Sequence, residues 1–369
     1  MTMTNSTPTR DDRFDHRNAL LVFAAFALLP LMIVGSINYA VDPFQYFRIS
    51  GSERFSNFMQ RHQAPGVIRN YPFDSLVVGS SHIANIRNWM FDREEFAVRP
   101  KVVNLGFSGG TVLENAYVVK LALRTKPIRT VYWSIGRQQV DGFRNSDFPK
   151  CMYGGFYSLL PPYCYLFNAG VFWESYVDIS HSKNSLAGWV EGLEQWRTYG
   201  PRPMDPHARA CEMRARAKGL DIDRLTQSAS FGPIADEQTE GYRRLVLPIV
   251  RGNPGVRFVF FLSPEYLDSF WMEGVHGYPS SRQALFDVFL NEPNAEVHDL
   301  SLYPAVSHHY EFFDLDELHF VPEAARRVVA VLANGSLRIT SLAEHERLLR
   351  EELRAGAELM RSYAGEKCP

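Results

Sequence analysis

The sequence predicts an α/β protein built on a doubly wound parallel sheet, with one N-terminal transmembrane helix and a long inserted cap. Three observations carry that prediction. Apolar runs at residues 76–78, 102–105, 131–135 and 258–262 are β-rich and short enough for buried parallel strands. Helical periodicity alternates with them: Val112, Ala116, Val119 and Leu123 share one helical face. Ala325, Val328, Val329 and Leu332 share another, behind Pro322, which suits a first helical turn. Strand and helix in repetition argue for a sheet covered by helices on both sides. The third observation is an uncharged run at residues 19–41, the only one of its length.

Residues 1–18 are polar and charged and form a short disordered cytoplasmic tail in this reading. Residues 19–34 are almost wholly apolar. At about 1.5 Å per residue the whole run crosses a hydrocarbon core of about 30 Å. No small-x-small site follows the apolar core, and Asn38-Tyr39-Ala40 is a poor substitute, so a retained anchor is favoured over a cleaved signal peptide. Pro30 is tolerable in a membrane helix. Arg10, Arg13 and Arg17 precede the run, while Arg48 and Arg54 follow at a greater distance, which leans toward a cytoplasmic N-terminus. The expectation is a single-pass protein of the cytoplasmic (inner) membrane with its main domain in the periplasm or outside the cell. Aromatics in Asp42-Pro43-Phe44-Gln45-Tyr46-Phe47 fall where the chain leaves the bilayer, as an interfacial anchor would. Residues 42–72 then serve as a linker and a helix leading into the domain.

That domain, residues 73–340, is interrupted at 137–236. The interruption is rich in Pro, Tyr, Phe, Trp and Gly, then helical and charged around residues 189–219, and far exceeds an ordinary connection. It is expected to cap the strand ends and set substrate choice; the alternative is a peripheral decoration. Cys151 and Cys164 bracket a Pro- and Tyr-rich segment and either form one bridge or remain thiols, while Cys211 and Cys368 have no obvious mate. No Cys/His spacing resembles a zinc site, so neither metal nor cofactor is expected. In the tail, residues 341–369, Ser341-Leu342-Ala343-Glu344 opens an amphipathic helix running to about Met360. Its Leu342, Leu349, Leu353 and Met360 are expected to pack on the body.

A chain of 369 residues, 46% of them hydrophobic, has enough material for one large domain or two small ones. Its net charge of −2 gives no electrostatic case for nucleic acid, and no basic tract interleaved with aromatics is present.

Chemistry concentrates in two stretches. The run ending Val77-Val78-Gly79-Ser80-Ser81-His82 reads as a buried strand breaking into a tight turn that lifts a hydroxyl above the sheet edge, which makes Ser81 the candidate nucleophile. The bland alternative is a helix cap or turn serine. Far downstream, Asp314-Leu315-Asp316-Glu317-Leu318-His319 offers a base, His319, and an orienting carboxylate, Asp314 or Asp316. Together these give a triad in Ser, Asp, His order. The backbone N–H of Ser81 is one donor for the oxyanion that such chemistry develops.

Gly79-Ser80-Ser81, the block Asn104-Leu105-Gly106-Phe107-Ser108-Gly109-Gly110-Thr111, and an Asp three residues before His319 together resemble the SGNH/GDSL hydrolase family. The likeness covers roughly residues 70–136 and 255–335. It implies a flavodoxin-like sheet, with Ser81, Asp316 and His319 as the catalytic residues and Ser80 standing where the family has Asp. It also implies Gly109 as the second oxyanion donor. The family's third donor is an Asn in a Gly-x-Asn-Asp-like block, where this chain has Gly136-Arg137-Gln138-Gln139, so Gln138 or Arg137 takes that place. Membrane-anchored members that act on cell-surface polymers are similar around the span. The resemblance therefore implies a serine esterase or O-acyltransferase acting on acyl groups, such as acetyl, of a surface polysaccharide, with a membrane acyltransferase as a further partner. His82, Arg137, His308 and His309 are read as loop or capping residues ahead of substrate contacts. Phe261-Leu262-Ser263-Pro264-Glu265-Tyr266 is expected to line the cleft, with no catalytic role for Glu265. The rivals are a non-catalytic glycan-binding or assembly protein that retains the fold, and a membrane-tethered lipase, against which the lack of a second lid-like apolar stretch counts.

Overall fold

The computed structural model describes residues 12–49, 54–56, 59–92, 96, 99–136, 140, 148–154, 160–180, 189–191, 205–233, 236–314 and 319–363. At its centre lie five parallel strands, β1 (Ser75–Val78), β2 (Val102–Asn104), β3 (Thr130–Ile135), β4 (Arg257–Leu262) and β5 (Ala295–Asp299), in the order 2-1-3-4-5. Register follows Ser75↔Val102, Ser75↔Thr130, Thr130↔Arg257 and Phe258↔Ala295. This is a doubly wound order whose direction of winding reverses beside β1, and ligands in such sheets bind beyond the strands' carboxyl ends at that reversal. The first four strands coincide with the apolar runs to within a residue. The fifth, Ala-Glu-Val-His-Asp, was not predicted.

Side chains on alternate faces of the strands feed two cores. Leu76, Val78, Val131, Trp133, Phe258 and Phe260 pack beneath α2 (Gln60–Asn70) and α3 (Val112–Thr125). Val77, Tyr132, Val259 and Phe261 pack on the opposite side. Helices form where the periodicity placed them: Val112, Ala116 and Val119 are buried and Leu123 is partly buried.

The N-terminal helix, α1 (Asp12–Val41), contains Arg17–Val41, 25 residues whose most apolar 18-residue window has a mean hydropathy of 2.6 and is 6% buried, long and apolar enough to cross a membrane. Its exit corrects one expectation. Phe44 and Tyr46 do not face outward; both are buried, and Tyr46 stacks on Tyr165 at 4.7 Å. A short polar turn closed by Asp42 folds these rings back into the protein.

In its described parts the insertion divides. Lys150–Tyr153, α4 (Pro161–Leu166) and α5 (Ala169–Ile179) lie along α1, α2 and α3, whereas α6 (Pro206–Ala217) and α7 (Ile222–Ser228) pack on the C-terminal helix. Cys151 and Cys164 are bridged, tying the first of these turns to α4. Cys211, for which no mate was evident, is disulfide-bonded as well; Cys368 lies outside the described residues.

α8 (Glu237–Leu245) and α9 (Leu247–Arg251) return the chain to β4 and place Tyr242, Ile249 and Val250 in the first core. α10 (Leu267–Gly274) and α11 (Tyr278–Asp287) lead to β5. A single turn, α12 (Pro304–Ser307), follows, then α13 (Pro322–Asn334), whose buried Ala325, Val328, Val329 and Leu332 complete the second core. The last helix, α14 (Leu342–Tyr363), buries Leu349, Leu353 and Met360 against Phe270 and Trp271 of α10, with Leu342 partly buried against the first core.

Candidate active site

Ser81 opens a 3-10 turn, Ser81–Ile83, two residues after β1 ends. A side chain at Gly79 is excluded, because a Cβ there would stand 2.7 Å from Ser134 Cβ on β3. The chain thus turns tightly over its neighbouring strand. Ser80 is buried and Ser81 half-buried, which leaves Ser81 the more accessible hydroxyl.

Beyond β2, the second motif packs directly on this turn. Phe107 donates its backbone N–H to the Gly79 carbonyl at 3.0 Å. Asn104 is the fastener: its side-chain amide donates to the carbonyls of Ile83 (2.7 Å) and Ile86 (2.8 Å), and its oxygen accepts from the Gly106 N–H at 3.0 Å. Gly109 takes φ 56, a left-handed conformation that a residue with Cβ adopts only at a cost. Two residues on, Thr111 caps α3 in a reciprocal exchange with Glu114. Gly109 therefore lies just ahead of a capped helix N-terminus, where backbone N–H groups and the helix field favour negative charge.

The N-terminal end of α2 braces this loop. The Gln60 side chain accepts from the Ser108 N–H at 2.9 Å. Arg61 donates to the Ser108 carbonyl at 3.2 Å while its guanidinium grips Glu114 in a two-pronged pair, 2.8 and 2.7 Å. Both members of the pair are buried, so each charge depends on the other.

His319 arrives from the opposite side of the sheet's centre. Its loop is closed by the Phe313↔Phe320 bridge and by the Asp314 N–H donating to the His319 carbonyl at 2.8 Å. Two contacts join that loop to the serine turn. The imidazoles of His82 and His319 meet edge to face, centroids 5.4 Å apart, and Asn85 donates its side-chain N–H to the Phe320 carbonyl at 2.8 Å. Ser81, Gly109 and His319 thus sit on loops fastened to one another at the carboxyl ends of β1 and β2. Asp314 is fully buried beside the same loop. Asp316, Arg137 and Gln138 lie outside the described residues.

Neither Asn85 nor the Arg61–Glu114 pair was singled out from sequence, and Asn104 appeared only as the first letter of a motif. His308 and His309 hold capping positions, as expected, His308 at the end of α12 and His309 before the turn Tyr310–Phe312, and their imidazoles meet the carboxylates of Glu352 and Glu311, each at 3.0 Å. Glu265 is committed to the buried Arg282 at 2.6 Å, a structural role.

A second Asp/His pair exists and is of another kind. His345 and Asp299 are in contact at 2.9 Å, but both are fully buried, and Asp299 also binds Arg282 and the Ser301 hydroxyl. It joins α14 and α11 to the end of β5 without access from solvent.

Chemically, the cluster offers a half-buried hydroxyl, an imidazole on the adjoining loop whose Nε2 is buried, and a glycine amide ahead of a helix start, group types used in acyl transfer through a serine. Compared with known proteins, the chain matches no protein-family model, and no curated protein matches it at a significant level.

Proposed function

We propose that this chain is a membrane-anchored, extracytoplasmic serine esterase or O-acyltransferase of SGNH type, acting on acyl groups of a cell-surface polysaccharide. One observation carries the reading: the loops bearing Ser81, Gly109 and His319 are fastened together at the reversal point of a doubly wound sheet, through Asn104, Asn85 and the His82–His319 contact. In this mechanism His319 takes the Ser81 proton as the hydroxyl attacks an ester carbonyl. Asp316 holds the imidazole in the needed tautomer. The amides of Ser81 and Gly109 receive the developing oxyanion, each donor contributing about 3 kcal/mol to the barrier reduction. Gln138 serves as the third. His319 then returns its proton to the leaving alcohol, and water or a sugar hydroxyl resolves the acyl-enzyme. The Cys151–Cys164 bridge supports an oxidising compartment for the domain.

The test is labelling of the detergent-solubilised full chain with a fluorophosphonate probe. Wild type is expected to label, Ser81→Ala to lose labelling entirely, and His319→Ala to label about 10²–10⁴-fold more slowly, the usual contribution of a general base. Folded wild-type protein that does not label would overturn the catalytic reading in favour of a glycan-binding or assembly role.

A further inference from the structure

α5 is built the wrong way round for a helix of a water-soluble surface. Its inward side carries Val171 and Ser175, both buried, while Trp173, Tyr176 and Ile179, at i, i+3 and i+6, point outward, Trp173 at 62% exposure. The rings of Trp173 and Tyr176 lie 5.9 Å apart on that outer face. The turn before it adds Tyr163 and Phe167, also exposed. Glu174 and Asp178 are half-buried on the flank. A contiguous apolar patch of this kind marks an interaction surface.

What covers it follows from its position beside α1. The buried Asn38 of α1 donates to the Leu166 carbonyl at 2.8 Å and accepts from the Ser175 hydroxyl at 3.1 Å. The Phe167 ring rests on Gly35, close enough that a Cβ there would stand 3.1 Å from it. Gly35 lies six residues before the end of α1 at Val41, about 9 Å along the helix axis. Phe167 therefore sits level with the end of the almost wholly apolar residues 19–34, before α1 itself ends. At 11 residues, about 16 Å, α5 is too short to cross a bilayer. Trp and Tyr beside aliphatic residues are the composition of the headgroup boundary.

We propose that the outer face of α4–α5 is a second membrane contact, embedded in the headgroup and upper acyl region of the leaflet that α1 exits. The inference rests on α1 being a membrane span. The face is continuous with the exposed apolar surface of that helix, and no protein partner is needed to cover it.

The experiment uses the full chain in nanodiscs at one copy per disc, with phospholipids carrying a doxyl quencher high on the acyl chain. Tryptophan emission of wild type is compared with that of Trp173→Phe, a conservative change at an exposed position. Lipid-dependent quenching that is largely lost in Trp173→Phe is the expected result. Protein retained in the discs whose quenching is the same in both forms would overturn the second contact while leaving the span intact. A chain that does not enter the discs at all would overturn the span and this inference together.

Discussion

Asn104 uses its side-chain amide entirely inside the protein, with both N–H bonds on carbonyls of the Ser81 turn and its oxygen on Gly106. Replacing it by Ala leaves the Ile86 carbonyl and the Gly106 N–H without the bonds it supplies, while the Ile83 carbonyl keeps the Ile86 N–H at 3.0 Å. Unsatisfied buried groups cost about 1–3 kcal/mol each before relaxation. Asn104→Ala is expected to lower unfolding stability by about 2–4 kcal/mol on that scale, read by denaturant titration, and to slow probe labelling of Ser81 even where the protein remains folded. Asn85→Ala removes the bond to Phe320, and the loss of that bond is expected to cost about 1–2 kcal/mol. Because that bond joins the serine turn to the histidine loop, labelling should fall more than stability does. Equal labelling rates in Asn85→Ala and wild type would show that the His319 loop is held by other contacts.

At the scale of elements, β5 shows why part of the fold was not legible in the sequence. β1, β3 and β4 are interior strands whose apolar runs announce them, whereas β5 is an edge whose Glu296 and Asp299 have distant partners. Glu296 receives two hydrogen bonds from Arg257 of β4, both 2.7 Å, and those from His298 and Arg257 hold its carboxyl well below the usual range. Burial pushes Asp299 up, but Arg282, His345 and Ser301 outweigh it and bring the carboxyl down to about 2. An unfolded Asp titrates near about 4. A carboxyl depressed in the folded state stabilises above the unfolded value and loses that contribution as pH falls toward the folded one. Stability from Asp299 is therefore expected to be complete above about pH 4 and to drain away toward pH 2. Asp299→Asn removes one of two carboxylates paired with Arg282, Glu265 being the other, and should cost about 1.5–3 kcal/mol at neutral pH, with a flatter acid limb in denaturation followed from pH 6 to pH 2. The site divides in the same way as the fold. A glycine turn and chain order pointed to Ser81 and His319, and the family resemblance to Gly109; the structure fastens the loops that carry them together. Asn85 was not legible, because its partner is a carbonyl 235 residues away.

At the scale of the molecule, side-chain contacts tie the exit of α1 to the neighbourhood of the candidate site. Asp42, at a left-handed φ of 49, accepts the N–H groups of Tyr46, Phe47 and Arg48 at 2.8, 3.0 and 3.0 Å. Burial pushes its carboxyl up, opposed by the hydroxyl of Tyr165 and those amides. The knot so formed docks on α2: Gln63 donates to the Phe44 carbonyl at 3.0 Å and Tyr71 to the Gln45 side chain at 2.6 Å. α2 in turn begins at Gln60 and Arg61, the braces of the Ser108 loop. One short helix therefore connects the exit of α1 to the candidate site. Hydrogen bonds to a charged acceptor contribute about 1.5–3 kcal/mol, so their loss should speed local opening about tenfold or more. In full-length Asp42→Ala, hydrogen exchange at Tyr46, Phe47 and Arg48 is expected to rise by that factor, while amides of β1 and β4 keep wild-type protection. Asp42→Asn, which keeps an acceptor oxygen and tolerates the left-handed backbone, should fall between. Unchanged exchange in Asp42→Ala would mean that the Tyr46–Tyr165 stack holds the joint without Asp42.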